Sequence, residues 1–204
     1  ELATGPAETL TLEIVRRATV TQSVGGRSMP SSVDPRISVV QGDIARLEVD
    51  VVVTAANEGL LGGGGVDGAV HRAAGPGLLE ECRTLGGCPE GQARITGGYR
   101  LHARHVIHAV GPVWDGGDSG ERKALASCYR AALELAAKHA LASIAFPCIA
   151  TGVYGFPKDE ACGIAVSTIR EWLRRHEYPQ EVVFCCFHEE DVGLYRARLA
   201  TNSE

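Results

Sequence analysis

From Ile37 onward, short apolar runs alternate with longer amphipathic stretches. Ile37–Gln41 is short and β-branched. Val49–Ala55 (VDVVVTA) is almost continuously apolar, the pattern of a strand covered on both faces. Val106–Val110, Ile144–Ile149 and Val182–Phe187 are further strand-like runs. Between them the apolar period becomes helical. Over 158–176, Ala161, Ile164, Ala165, Thr168, Ile169, Trp172 and Leu173 share one stripe, while Arg170, Glu171, Arg174 and Arg175 take the other face. Leu125, Cys128, Ala132, Leu135 and Ala136 mark a similar stripe within 121–139. Asp67–Ala74, Leu78–Leu85 and Asp191–Ala200 predict three more helices, the first two parted by Gly75-Pro76. Strands alternating with helices predict an α/β fold, a sheet covered by helices on both faces. There is no internal repeat and no sign of a second domain. Residues 1–36 break the pattern and are rich in Ser, Thr, Gly and Pro around Gly25–Pro35. They are expected to be an N-terminal extension, partly disordered or adding an edge strand from 9–20. The folded domain is expected over 37–204.

Composition narrows the function classes. The net charge of −5 argues against a protein that coats nucleic acid electrostatically. No apolar run approaches the ~20 residues of a membrane span, and the first residues lack the charged start and apolar core of a signal peptide. Seven cysteines, an odd number with no CxxC pair, do not form a disulfide framework. They read as small hydrophobes in a reducing compartment, which predicts a cytoplasmic protein. His102, His105, His108 and His188 supply imidazoles, but no ligand spacing joins them to cysteine, so no metal site is expected. Glycine is the outlier: 25 residues, of which seventeen fall between Gly59 and Gly120. Clustered glycine marks places where backbone must approach something closely.

In α/β sheets, ligands bind in the loops after the strands. Gly42-Asp43-Ile44 follows the first strand. Ala56-Asn57-Glu58-Gly59-Leu60-Leu61 and the run Gly62–Gly65 follow the second. Ala150-Thr151-Gly152-Val153-Tyr154-Gly155-Phe156-Pro157 follows the strand at 144–149 and leads into the best helix. Two glycine-bearing loops, each before a helix N-terminus, offer bare N–H groups and a positive dipole end to an anion, and two such loops suit a diphosphate. Neither is a Walker loop, and neither has dinucleotide-fold spacing. Asp67 starts the helix after the first loop, and His71 lies one turn later on the same face. An amide, a carboxylate and an imidazole thus converge on a phosphate-type loop. Plainer readings stand beside this: Asp67 as an N-cap, His71 as a packed helix residue, Asn57 as a turn residue.

TAANEGLLGGGGVDGAVHRAAG (54–75) resembles the signature of macrodomains, IATGVYGFP (149–157) resembles their second phosphate loop, and GDI (42–44) resembles their adenosine-contacting segment. The likeness runs from Ile37 to about Leu199. It implies a three-layer α/β/α fold with a central mixed, mostly parallel sheet. Gly-Gly-Val-Asp resembles the MacroD-type branch, which removes mono-ADP-ribose from acidic side chains and deacetylates O-acetyl-ADP-ribose without a cofactor.

The resemblance implies roles residue by residue. Asp43 would accept from the adenine amino group, with Gly42 and the Ile44 backbone beside it, and Phe187 would pack on the adenine face. Gly63, Gly64, Gly65 and Val66 would line the distal ribose and diphosphate, next to Ala56. Ala150, Thr151, Gly152, Val153, Tyr154 and Gly155 would wrap the diphosphate, and Phe156 would pack near the distal ribose. Asn57 would hold a ribose hydroxyl. Asp67 would orient or deprotonate the attacking water, with His71 in support. ADP-ribose, O-acetyl-ADP-ribose and mono-ADP-ribosylated proteins would be the partners of a monomer that touches neither membrane nor nucleic acid.

Two positions depart from the family pattern. Thr54 replaces the usual Asn, which would loosen the loop carrying Asn57, and Ala150 replaces Ser or Gly. Thr54 favours a second reading, a module that binds ADP-ribose without hydrolysing it, and Asp67 opposes it. A third reading, RNA or nucleotide processing, lacks a basic aromatic platform. A lysine nucleophile, as in another branch of this fold, is disfavoured because Lys158 already lies at a helix start.

Overall fold

Val51, Val52, Val53 and Thr54 are each at most 1% exposed, so the strand they form lies at the middle of the sheet. The structure, a computed structural model, describes residues 34–201. Strand β2 (Val51–Ala55) lies between β5 (Ser143–Phe146) and β4 (His105–Ala109). Beyond β5 come β6 (Glu181–Cys186) and β1 (Ile37–Gln41), and beyond β4 comes β3 (Ala93–Gly97). All neighbours are parallel except β3, which runs antiparallel to β4.

Alternation along β2 sends side chains to two separate cores. Val51 and Val53 join one, with Ile107, Tyr129, Phe146 and Phe184, under α3 (Glu121–Lys138), α4 (Lys158–Leu173) and α5 (Glu189–Ala200). Val52 joins the other, with Ile44, Val70, Leu78, Cys82 and Val106, under α1 (Gly65–Ala74) and α2 (Pro76–Thr84). Three layers result, α/β/α. Among the described residues no helix is long and apolar enough to cross a membrane.

Several boundaries moved for physical reasons. The run at 144–149 ends as a strand at Phe146, because Pro147 has no N–H to extend the ladder. The helix over 158–176 closes at Leu173. Helix α1 begins at Gly65 with Gly64 at its N-cap, so Asp67 lies in the first turn and is not the cap. Helix α2 starts at Pro76, whose fixed φ and missing N–H suit a first turn. Strand β3 (ARITG) was not predicted, because an edge strand carrying Arg94 and Thr96 shows no apolar run. Gly98 is a close approach: a Cβ there would lie 1.8 Å from the Ala103 carbonyl oxygen. The possible edge strand at 9–20 lies outside the described residues.

Candidate functional site

The carboxyl ends of β1, β2, β5 and β6 open onto a cleft of about 780 Å³. From the predicted set, Gly42, Asp43 and Ile44 line it, with Ala56 and Asn57. Gly63, Gly64, Gly65, Val66 and Asp67 form one wall, and Ala150, Thr151, Gly152, Val153 and Tyr154 another. Phe187 stands at the rim. The structure does not bring three expected residues into the lining. His71 sits under the first glycine loop, where a Cβ on Gly62 would meet its ring at 3.6 Å. Gly155 turns the second loop with φ +69° and donates its N–H to the Gly152 carbonyl at 3.0 Å. Phe156 is 2% exposed and packs on Trp114, ring centroids 4.6 Å apart, so it braces the loop from the core.

Asn57 staples the first loop from within. Its Nδ2 donates to the Gly62 carbonyl at 2.9 Å, and its Oδ1 accepts from the Leu60 N–H at 3.1 Å. The run Gly62–Gly68 needs glycine at three points, one of them Gly65 with φ +54°. Gly62 has φ +82°, and a Cβ on Gly68 would fall 2.4 Å from the Gly63 carbonyl oxygen. Gly64 caps α1 without a side-chain hydrogen bond, which leaves the helix start to backbone N–H groups facing the cleft.

The second loop is held to the strand ends. Thr151 Oγ1 donates to the Cys148 carbonyl, the Phe156 N–H to the Ala150 carbonyl, and the Trp114 N–H to the Tyr154 carbonyl, at 3.0, 3.0 and 2.8 Å. Ala150 has φ +65°, a conformation glycine takes without cost.

Asp67 is the buried carboxylate of the cleft, 3% exposed. Its Oδ1 accepts from the Thr54 hydroxyl at 3.0 Å and lies 3.8 Å from His71 Nε2. Its Oδ2 is buried and has no hydrogen-bond partner among the described residues. Burial raises its pKa, opposed by His71 and by the Thr54 hydrogen bond. The expectation that Thr54 would loosen the Asn57 loop is replaced by a different contact: residue 54 holds the carboxylate.

At the other end, Asp43 Oδ1 accepts from the Ala45 N–H at 3.0 Å and caps the 3-10 turn Ile44–Arg46. Phe187 is 73% exposed, a flat apolar face at the mouth of the cleft. Arg72, Lys158 and Asp191 also line the cleft; Arg72 and Asp191 were missed, and Lys158 was weighed only as a nucleophile. Arg72 was detectable, one helical turn after Gly68 on α1. The Lys158 ammonium lies 2.8 Å from Glu190 and 2.9 Å from Asp191, which holds it protonated and unsuited to nucleophilic attack.

Behind Asp67 the structure gathers His71, Cys82 and His108, with ligand atoms within 4.8 Å of one another. Of the four histidines considered as ligands in the sequence, only His108 belongs to this group. His108 Nε2 lies 3.0 Å from Thr96 Oγ1 and 3.6 Å from Cys82 Sγ. Burial lowers its pKa to about 4, with His71 adding to the effect.

The Macro domain family profile matches residues 53–165, which carry both glycine loops and Asp67. The chain belongs to the macrodomain family. This macrodomain is 56% identical over 175 residues to a macro domain-containing protein of Methanosarcina mazei, covering 86% of this chain and 93% of that one. It is 52% identical over 166 residues to the rat ADP-ribose glycohydrolase MACROD1, covering 80% of this chain and 64% of that one. Among solved structures it is similar to the Trypanosoma brucei macrodomain in complex with ADP-ribose. There the TM-score is 0.77 at 43% identity, over 82% of this chain and 71% of that one. The Oceanobacillus iheyensis macrodomain with ADP gives 0.75 at 44% identity, over 79% and 88%.

Proposed function

We propose that this macrodomain binds ADP-ribose in the cleft and hydrolyses esters at its distal ribose. It would release mono-ADP-ribose from acidic side chains of proteins and deacetylate O-acetyl-ADP-ribose. One observation carries the reading: Asp67 is buried at the cleft wall between the two glycine loops, with Oδ1 anchored by Thr54 and Oδ2 free. The likeness to an ADP-ribose glycohydrolase and to a macrodomain holding ADP-ribose supports it.

In this reading Asp43 meets the adenine amino group and Phe187 packs on its ring. Backbone N–H groups of both loops and the start of α1 neutralise the diphosphate, an electrostatic role that needs no metal. Asp67 Oδ2 accepts a hydrogen bond from the attacking water and takes its proton. The raised pKa brings that carboxylate nearer neutral pH, where a general base works best. His71 braces Asp67 from below and Asn57 keeps the loop in register. The Thr54 hydrogen bond weakens the case for a reader module, since the substitution still supplies a donor to Asp67.

The test pairs two measurements. A protein auto-ADP-ribosylated on acidic residues is incubated with wild type and with Asp67→Ala, and free ADP-ribose is titrated into each. Wild type should release the modification. The variant should bind ADP-ribose with little change and release it at least about tenfold more slowly, the lower range of general-base help. Equal turnover by the variant refutes the role of Asp67, and binding without turnover in wild type selects the reader.

A further inference from the structure

The proposed hydrolysis makes no use of Cys82 and His108, which lie behind Asp67. His71 on α1, Cys82 on α2 and His108 on β4 come from three elements and meet in the apolar core under the first glycine loop. Cys82 and His108 are fully buried. His71 Nε2, like Asp67 Oδ2, is buried and without a hydrogen-bond partner among the described residues. Two imidazoles and a thiol at one place, with a carboxylate 3.8 Å from one imidazole, are the donor set of a tetrahedral zinc-type centre.

We propose that His71, Cys82 and His108 form a buried site for a thiophilic divalent ion of the zinc class, with Asp67 as the fourth ligand. With metal–sulfur bonds near ~2.3 Å and metal–nitrogen bonds near ~2.0 Å, tetrahedral donors stand roughly 3.5 Å apart. Cys82 Sγ and His108 Nε2 are already at 3.6 Å, and Asp67 Oδ1 and His71 Nε2 at 3.8 Å. The ligand atoms of His71, Cys82 and His108 all lie within 4.8 Å of one another, and Asp67 approaches the group through His71. Binding at His108 Nε2 displaces the Thr96 hydroxyl, which already has the Gly97 carbonyl at 3.3 Å and the Val106 carbonyl at 3.5 Å as other acceptors.

Charge supports the assignment. A divalent cation bound by one thiolate and one carboxylate is neutral overall, so burying the centre avoids the cost of an unpaired charge. The thiol proton leaves to solvent as the metal–sulfur bond forms. A second depression, apart from the ligand cleft, is lined by Glu58, Cys82 and Arg83. Occupation of the site ties up the Asp67 carboxylate, so the ion acts as an inhibitor of the hydrolysis. That consequence rests on the function proposed above; the site itself does not.

The experiment uses Co2+ as a spectroscopic probe and Zn2+ as its competitor on the purified full chain, in a thiol-free buffer. Wild type should take up one equivalent of Co2+. It should show the intense visible bands of tetrahedral cobalt and a thiolate-to-cobalt charge-transfer band, both bleached by Zn2+. Cys82→Ser should lose the charge-transfer band, while Cys88→Ser, a buried cysteine outside the cluster, should keep it. His108→Gln reports on the same site should Cys82→Ser fail to fold. Absence of a stoichiometric cobalt spectrum in wild type overturns the site, as does a spectrum unchanged in both cluster variants. Zn2+ should also slow release of ADP-ribose by wild type at least tenfold and leave Cys82→Ser insensitive. Cobalt bands together with zinc-insensitive hydrolysis overturn the assignment of Asp67 as a ligand. A protein without hydrolase activity still gives the spectral answer.

Discussion

Thr54 and Asp67 meet through a hydrogen bond of 3.0 Å that joins the central strand to the first turn of α1. It is a hydrogen bond to a buried carboxylate whose other oxygen has no hydrogen-bond partner among the described residues. A hydrogen bond to a charged group contributes about 1.5–3 kcal/mol. Thr54→Val keeps the shape and removes the donor. The hydrogen bond lowers the Asp67 pKa, so its loss raises that pKa further. The acidic limb of the pH–rate profile should then move to higher pH, and turnover on that limb should fall below that of wild type. Thr54→Asn retains a donor and should restore most of the rate. Identical pH profiles for wild type and Thr54→Val would show that the bond does not govern the base.

Asp67 itself is held at a cost to the fold. For a carboxyl group, a pKa raised in the folded state means that the folded chain binds a proton more tightly than the unfolded one. Stability therefore drops as pH rises from the ordinary carboxylate range through the folded pKa, and the deficit persists at neutral pH. Asp67→Asn removes the charge and keeps an acceptor for Thr54. At pH 7 this variant should melt above wild type while its hydrolysis falls at least tenfold. The same trade between stability and activity is common where a site keeps a charge buried. A lower melting temperature for Asp67→Asn at pH 7 contradicts the assignment of burial as the main cause of the shift.

His108 gives a pH signature of the opposite sign. Its folded pKa of about 4 lies below the ordinary value of 6.5, so the unfolded chain takes the proton first. The neutral imidazole's contribution is complete above pH 6.5 and fades as pH falls towards 4. That interval is worth up to about 3 kcal/mol at about 1.4 kcal/mol per pKa unit. Denaturant unfolding of wild type and His108→Gln across pH 4–7 isolates it. Wild type should lose stability more steeply on acidification, and parallel curves would refute the assignment.

Much of this was legible in the chain. Val49–Ala55 read as a doubly covered strand because apolar residues are needed on both faces when two helical layers meet it. The glycine run and its partner loop were found because ligands gather at carboxyl strand ends, and Gly63–Gly65 and Ala150–Tyr154 line the cleft. Strand β3 escaped because an edge position asks for no apolar run. The inward turn of Phe156 escaped because a phenylalanine after a loop fits a pocket and a core equally well in sequence. The gathering of His71, Cys82 and His108 escaped for another reason: their spacing along the chain is irregular. They are neighbours only because α1, α2 and β4 pack against one another.

Gly68 and Gly193 both interrupt helices, and the structure separates them. A Cβ on Gly68 would press to 2.4 Å on the Gly63 carbonyl oxygen, a backbone atom of the loop that lines the cleft. No side-chain rotation relieves such a clash, so Gly63 must move and the loop with it. A Cβ on Gly193 meets nothing within 4 Å. Alanine in place of glycine inside a helix is favourable by roughly 0.8–1 kcal/mol when space allows. Gly193→Ala should thus raise the melting temperature and leave ADP-ribose affinity unchanged. Gly68→Ala should lower the melting temperature and weaken ADP-ribose binding at least tenfold, because the displaced N–H groups no longer converge on the diphosphate. Calorimetric titration with ADP-ribose, alongside thermal melts of both variants, distinguishes a loop shaped by close packing from one that merely tolerates glycine. Wild-type affinity in Gly68→Ala would show that the contact with Gly63 does not set the loop.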